Sequence, residues 1–155
     1  GLNLLALAQI ATVPIRFTSF EAFPMSVAEL ARAHAAFPEL EPLARQLRDE
    51  WPQRRFTLGT VTAEIVEADA REALPSGDGR ADAWFLDGFS PARNPEMWGP
   101  SLMAQVAAHT ARGGTFATYT AAGHVRRALE GAGFVVRRLP GFAGKRHMSA
   151  GRLPG

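Results

Sequence analysis

Apolar positions along this chain switch repeatedly between helical spacing and short unbroken runs. Residues 2–11 place Leu4, Leu5, Leu7 and Ala8 on one stripe and predict a helix. Ile15–Phe20 predicts a strand, closed by Glu21. Ser26 followed three positions later by Glu29 is a capping-box signature for a helix to Ala36, which Pro38 ends. Residues 42–51 predict another helix. Arg55–Leu58 and residues 61–67 flank Gly59-Thr60, as a tight hairpin requires. A turn of helix follows at 70–74, then an exposed loop through Ser76-Gly77-Asp78-Gly79. The apolar run 83–86 reads as a strand buried between neighbours. Residues 100–111 predict a helix that stops at Gly113-Gly114. Beyond it lie a strand at 115–119, a helix at 122–131, a strand at 134–138 and a short last strand at 148–151.

Strands alternating with helices indicate an α/β architecture, a doubly wound, mainly parallel sheet in one domain spanning 1–155. Such a sheet normally opens with a strand that feeds a glycine-rich turn. This chain opens with a helix behind Gly1, so the first strand and most of that turn are expected to be missing.

The composition narrows the chemistry. The 155 residues are 46% hydrophobic and 21% charged, a globular balance with no apolar run near the ~20 residues of a membrane span. The apolar start has neither the basic flank nor the length of a signal peptide or anchor. With no cysteine, disulfides and thiolate chemistry are excluded, which suits a cytoplasmic location. Four dispersed histidines lack metal-ligand spacing, and no nucleophile-elbow or phosphate-loop motif occurs. The net charge of +2 conceals a division: residues 1–97 carry −5 and residues 98–155 carry +7. A basic third beside an acidic remainder either meets a polyanion or merely solvates its face.

Ligands of doubly wound sheets sit beyond the carboxyl ends of the strands. Three acids stand there: Glu21, Asp69 and Asp87. Glu21 is placed to accept from ribose hydroxyls or to solvate its strand end. Asp69 is placed to accept from an adenine amine or to cap the turn at 70–74, roles that are compatible. Asp87 opens the most unusual stretch, through Gly88, Phe89, Ser90, Pro91, Asn94 and Pro95 to Trp98. Asn94 offers donors and acceptors, and Phe89 and Trp98 offer aromatic faces for a pocket wall or a base, or else serve packing, whereas Trp84 and Phe85 read as core.

That stretch, LDGFSPARNPEMW, resembles the signature loop of the methyltransferase domain of the MnmC family, which makes 5-methylaminomethyl-2-thiouridine in tRNA. The resemblance continues through Gly113-Gly114-Thr115, through Tyr119-Thr120-Ala121-Ala122-Gly123-His124-Val125-Arg126-Arg127, and through Ala132-Gly133-Phe134. It ends in Gly141-Phe142-Ala143-Gly144-Lys145-Arg146-His147-Met148. At the start of the chain, Gly1-Leu2-Asn3 is similar to the tail of the family's cofactor loop and Ser19-Phe20-Glu21 to its ribose-binding strand end.

The resemblance implies a Rossmann-like class I methyltransferase fold lacking its first strand, with S-adenosyl-L-methionine as cofactor. It implies methylation of the aminomethyl group of 5-aminomethyl-(2-thio)uridine at the tRNA wobble position, with Asp87 as catalytic centre. Cofactor contacts are expected at Gly1, Asn3, Glu21, Asp69, Asp87 and Phe89. RNA contacts at the anticodon stem-loop are expected from Asn94, Trp98, Arg126, Lys145 and Arg146. An FAD-dependent oxidoreductase domain or partner accompanies the bifunctional members. The competing reading is a non-catalytic RNA-binding or interaction module derived from the same fold.

Overall fold

Local signals account for most elements of the computed structural model, which describes residues 1–142 and 144–155. Ala143, part of the last family motif, lies outside the described residues. The chain divides into two compact units, Gly1–Ala73 and Leu74–Gly155. The first holds ten Asp/Glu against seven Lys/Arg, the second five against ten.

The first unit runs α1 (Leu2–Ile10), β1 (Ile15–Phe20), α2 (Val27–His34), α3 (Glu41–Glu50), β2 (Arg55–Leu58), β3 (Val61–Val66) and α4 (Ala70–Ala73). Ser26 starts α2 as its sequence signature requires. Its hydroxyl accepts from Glu29 N at 3.3 Å, and the Glu29 carboxylate accepts from Ser26 N at 2.8 Å. The Ser26 hydroxyl also donates to that carboxylate at 2.7 Å, and this bond, with the one from Ser26 N, holds the Glu29 carboxyl below its ordinary pKa. The strand order is β1-β3-β2, with β1 parallel and β2 antiparallel to β3. Gly59 turns the hairpin at φ 60°, in the left-handed region. Val61, Ala63 and Ile65 alternate inward and join Leu4, Leu5, Leu30 and Leu47 in one core. Trp51 enters that core because its indole N–H is satisfied by Met25 O at 2.8 Å.

The second unit contains β4 (Ala81–Phe85), α5 (Pro100–Ala108), β5 (Thr110–Thr118), α6 (Gly123–Gly131), β6 (Val135–Pro140) and β7 (His147–Arg152). Its sheet has the order β4-β5-β7-β6. Leu102, Met103, Val106, Val125 and Leu129 from the two helices are buried, as are Phe116 and Phe134, whose rings meet edge to face at 5.1 Å. The close approach of β7 to Phe116 requires Gly151: a Cβ there would meet the ring at 2.6 Å and also the Val135 carbonyl.

Three expectations need correction. The helix expected over 100–111 ends at Ala108, and β5 starts at Thr110. The His109 ring stops the helix, its nitrogens lying 2.9 Å from Gln105 O and 2.9 Å from Gly77 O. Gly113-Gly114 therefore lies inside β5, where the pairing jumps from Ala81↔Thr110 to Ala83↔Thr115. Gly113 has φ 75°, and a Cβ on Gly114 would meet the Thr110 methyl at 2.7 Å, so glycine is what lets the strand bulge.

Among the described residues, the run expected to be buried, now β4, pairs within its sheet only with β5. Phe85 is 51% exposed and Trp84 half-buried, its indole N–H donating to Thr110 Oγ1 at 2.8 Å. Finally, among the described residues two strand pairings are parallel (β1/β3 and β4/β5) and three antiparallel, so the sheets are mixed rather than mainly parallel. Helical crossovers carry the chain between parallel partners; the hairpin at Gly59 and the return from β6 to β7 reverse it.

Two glycines in the second unit should respond oppositely to alanine. Gly151→Ala overpacks Phe116 and should cost about 1–3 kcal/mol. Gly131→Ala, at the end of α6 with nothing within 4 Å of the added methyl, should stabilise by about 0.4–1 kcal/mol. Urea midpoints of both variants against the parent chain measure the pair.

Candidate functional site

The parallel ladder of β4 and β5 runs one residue past the end of β4, where Leu86 N donates to Ala117 O at 2.9 Å. The chain then leaves the sheet with Asp87 exposed at the strand's carboxyl end. Ser90 O gathers the next turn, accepting from Arg93 N at 2.9 Å and Asn94 N at 3.0 Å. Half-buried Asn94 starts the 3-10 turn Pro95–Trp98, which brings Trp98 back beneath the loop.

Two aromatic donors pin the pair of residues after Asp87. Trp98 Nε1 donates to Phe89 O at 2.8 Å, and the Tyr119 hydroxyl donates to Gly88 O at 2.9 Å. The two rings stand edge to face at 6.3 Å. A Cβ on Gly88 would press the Trp98 indole at 3.2 Å, so glycine allows the backbone to lie on the ring. Trp98, expected to face RNA, is only 2% exposed and holds the loop from below instead. Phe89 is 78% exposed.

Tyr119 also carries a cation. Lys145 Nζ sits 4.0 Å from the centroid of its ring. Lys145 belongs to a turn after β6 closed by Gly141 N to Arg146 O at 3.1 Å and Lys145 N to Phe142 O at 3.1 Å. Burial raises the Tyr119 pKa above its ordinary value, and the negative charge of Asp87 raises it further. One phenol thus joins the Asp87 loop to the turn that bears Lys145.

The remaining basic candidates divide by exposure. Arg146, Arg127, Arg137 and Arg138 are exposed. Arg126, expected to face RNA, is half-buried, with its Nε shut off from water and without a hydrogen-bond partner among the described residues. Adjacent residues on a helix diverge, and here Arg127 takes the outward direction. An open groove of about 560 Å³ beside the loop is lined by Pro95, Trp98, Pro100, Ala104, His124 and Arg127. Asp87 is not part of its wall. Among the described residues no cluster of three or more His, Asp or Glu is arranged for a metal ion, and no helix is long and apolar enough to cross a membrane.

In the first unit Gly1 caps α1, accepting from Leu5 N at 3.1 Å, and a Cβ on it would meet Leu47 at 3.2 Å. Asn3 lies half-buried in the first turn. Glu21 is half-buried at the end of β1, its Oε1 accepting from Ser19 Oγ at 2.9 Å. Asp69 caps α4, accepting from Arg71 N at 2.8 Å and from the Arg71 guanidinium on both carboxylate oxygens. Those hydrogen bonds hold its pKa down at about 2. A carboxylate accepts about four hydrogen bonds in all; one here is the cap from Arg71 N and the rest come from the exposed Arg71 guanidinium.

Tyr119 stands in a family motif of the sequence, but its link between the Asp87 loop and the turn that bears Lys145 was not read from it. The available signal was that the chain holds one tyrosine, placed just past the end of a strand neighbouring the one that ends at Asp87.

That single tyrosine makes the electrostatics measurable. Phenolate absorbance should titrate with a midpoint above 10 in the folded chain, and Asp87→Asn should move it down toward, but not to, the ordinary value. The stability that Tyr119 contributes is fully present below the unfolded pKa and is lost as pH rises through the folded one. An unshifted wild-type midpoint would contradict this geometry.

Comparison with known proteins adds identity to this arrangement. Residues 38–154 match the family model described as S-adenosyl-L-methionine-dependent methyltransferase. The chain is 45% identical, over 97% of its length, to the tRNA 5-methylaminomethyl-2-thiouridine biosynthesis bifunctional protein MnmC of Chromobacterium violaceum. It is 41% identical, over its whole length, to the protein of the same name from Pseudomonas aeruginosa. It spans about a quarter of the length of these relatives, 25% and 26%. The crystal structure of MNMC2 from Aquifex aeolicus superposes with a TM-score of 0.64 at 21% identity, covering 99% of this chain and 59% of that one. A putative rRNA-methylase from Clostridium thermocellum superposes with a TM-score of 0.58 at 14% identity, covering 97% and 81%. These two likenesses show a shared fold. By the match over residues 38–154, the chain belongs to the family of S-adenosyl-L-methionine-dependent methyltransferases.

Proposed function

We propose that this chain methylates the aminomethyl group of 5-aminomethyl-(2-thio)uridine at the tRNA wobble position, with Asp87 holding the acceptor amine. The observation that carries the reading is the anchorage of the Asp87 loop. An exposed carboxylate at a strand end is followed by two backbone carbonyls fixed by Trp98 and Tyr119. The name of the bifunctional relatives supplies the tRNA product class. The oxidoreductase implied by the resemblance would lie outside these 155 residues.

The chemistry of the donor set fits S-adenosyl-L-methionine. Glu21, steadied by Ser19, is acceptor-only when ionised and matches a ribose diol. Gly1 and Asn3, at the start of α1 in the same unit, carry backbone and amide groups suited to the cofactor's polar atoms. When bound, the cofactor supplies a sulfonium-activated methyl group, so the chain's own task is placement. Asp87 accepts the N–H of a neutral amine and so directs its lone pair. Methylation at that lone pair would release one proton from the nitrogen, which would pass to the Asp87 carboxylate or to water. Asn94, Lys145 and Arg146 stand on the same unit as RNA contacts, and the net positive charge of that unit suits a polyanion.

Calorimetric titration with S-adenosylhomocysteine should show binding to this chain; its absence would remove the cofactor reading. Asp87→Asn should reduce methyl transfer to tRNA by about a hundredfold or more while the fold is kept. Near-normal turnover would take Asp87 out of the mechanism. Replacing Lys145 and Arg146 by Ala should weaken tRNA binding at low salt and flatten its log–log salt dependence by about 0.7–0.9 per lost phosphate contact. An unchanged slope in the folded double variant would make these two cations solvated surface.

A further inference from the structure

Phe142 is 87% exposed, more than any other large apolar side chain of the second unit. A single exposed apolar residue needs no explanation. The setting of this one does. It lies on the turn closed by Gly141 N to Arg146 O, and a Cβ on Gly141 would collide with the Lys145 carbonyl, so the turn is tight. Lys145 and Arg146, both exposed, sit on the same turn. Lys145 rests on the Tyr119 ring, and the Tyr119 hydroxyl holds Gly88, the residue after Asp87. The loop held in this way presents a second outward ring, that of Phe89, 78% exposed.

Two exposed rings are thus carried on two loops tied through one phenol, with two cations beside one of them. Proteins that bind unpaired RNA combine aromatic faces for stacking with cations for the phosphates. Fixing the turn beforehand lowers the ordering cost of presenting the ring. Resting on the proposed RNA substrate, we propose that Phe142 is a stacking platform for an unpaired nucleobase adjacent to the one placed at Asp87, with Tyr119 and Lys145 as its positioning residues.

The test is the affinity of the full chain for a stem-loop RNA with an unmodified uridine in the wobble position, measured over a range of salt. Phe142→Ala should raise Kd by roughly 5- to 150-fold at every salt concentration, leaving the log–log slope unchanged, because stacking releases no counterions. Phe142→Trp should restore the affinity. The Tyr119 titration midpoint should match wild type in both variants, certifying an intact anchorage. Wild-type affinity in Phe142→Ala would overturn the proposal while leaving the RNA reading in place. Loss of self-association in sedimentation, with RNA affinity intact, would overturn it in favour of a protein contact. A wild-type chain that does not bind the stem-loop would overturn the RNA reading itself, and the stacking role with it.

Discussion

Two peptide carbonyls, those of Gly88 and Phe89, govern how Asp87 is presented. A chain leaving a sheet at an exposed strand end is ordinarily free to wander, yet here each of the next two residues is held by an aromatic donor from below. The net worth of one such bond is only about 0.5–1.5 kcal/mol. The geometry gains from the rings that supply the donors. Trp98 is buried and cannot swing away without opening a hole, and Tyr119 is packed edge-on against it. Directional bonds fix the loop, and packing fixes the directional bonds. The glycine between them is there because the indole occupies the space of a side chain.

Signals that act over three or four residues were legible in the sequence. The Ser26/Glu29 capping box, the Gly59 hairpin and the boundaries of β1 and β2 all lie in local chemistry. Elements fixed by distant partners were not. The end of α5 depends on the His109 ring reaching Gly77, 32 positions away, and the glycine pair read as a helix stop serves the pairing of β5 with β4. The apolar run of β4 gave no hint of its exposure, because hydropathy does not say which neighbours a strand has.

The site shows the same division. Acids at strand ends follow from strand boundaries, so Glu21 and Asp87 were found where expected. The capping role of Asp69 is visible in its bond from Arg71 N, and the Arg71 guanidinium, two positions on, folds back over the same carboxylate. Trp98 was assigned a face toward RNA from its chemistry, which is equally that of a buried hydrogen-bond donor; only the position of the Phe89 carbonyl separates the two. Tyr119 escaped notice because its role is relational, linking two loops that lie far apart in sequence.

The division of charge between the two units bears on time as well as on affinity. With acids in excess in the first and bases in the second, a polyanion approaching by diffusion is drawn to one unit and turned from the other before any atom touches. Added salt would slow the arrival of such a polyanion as well as weaken its binding.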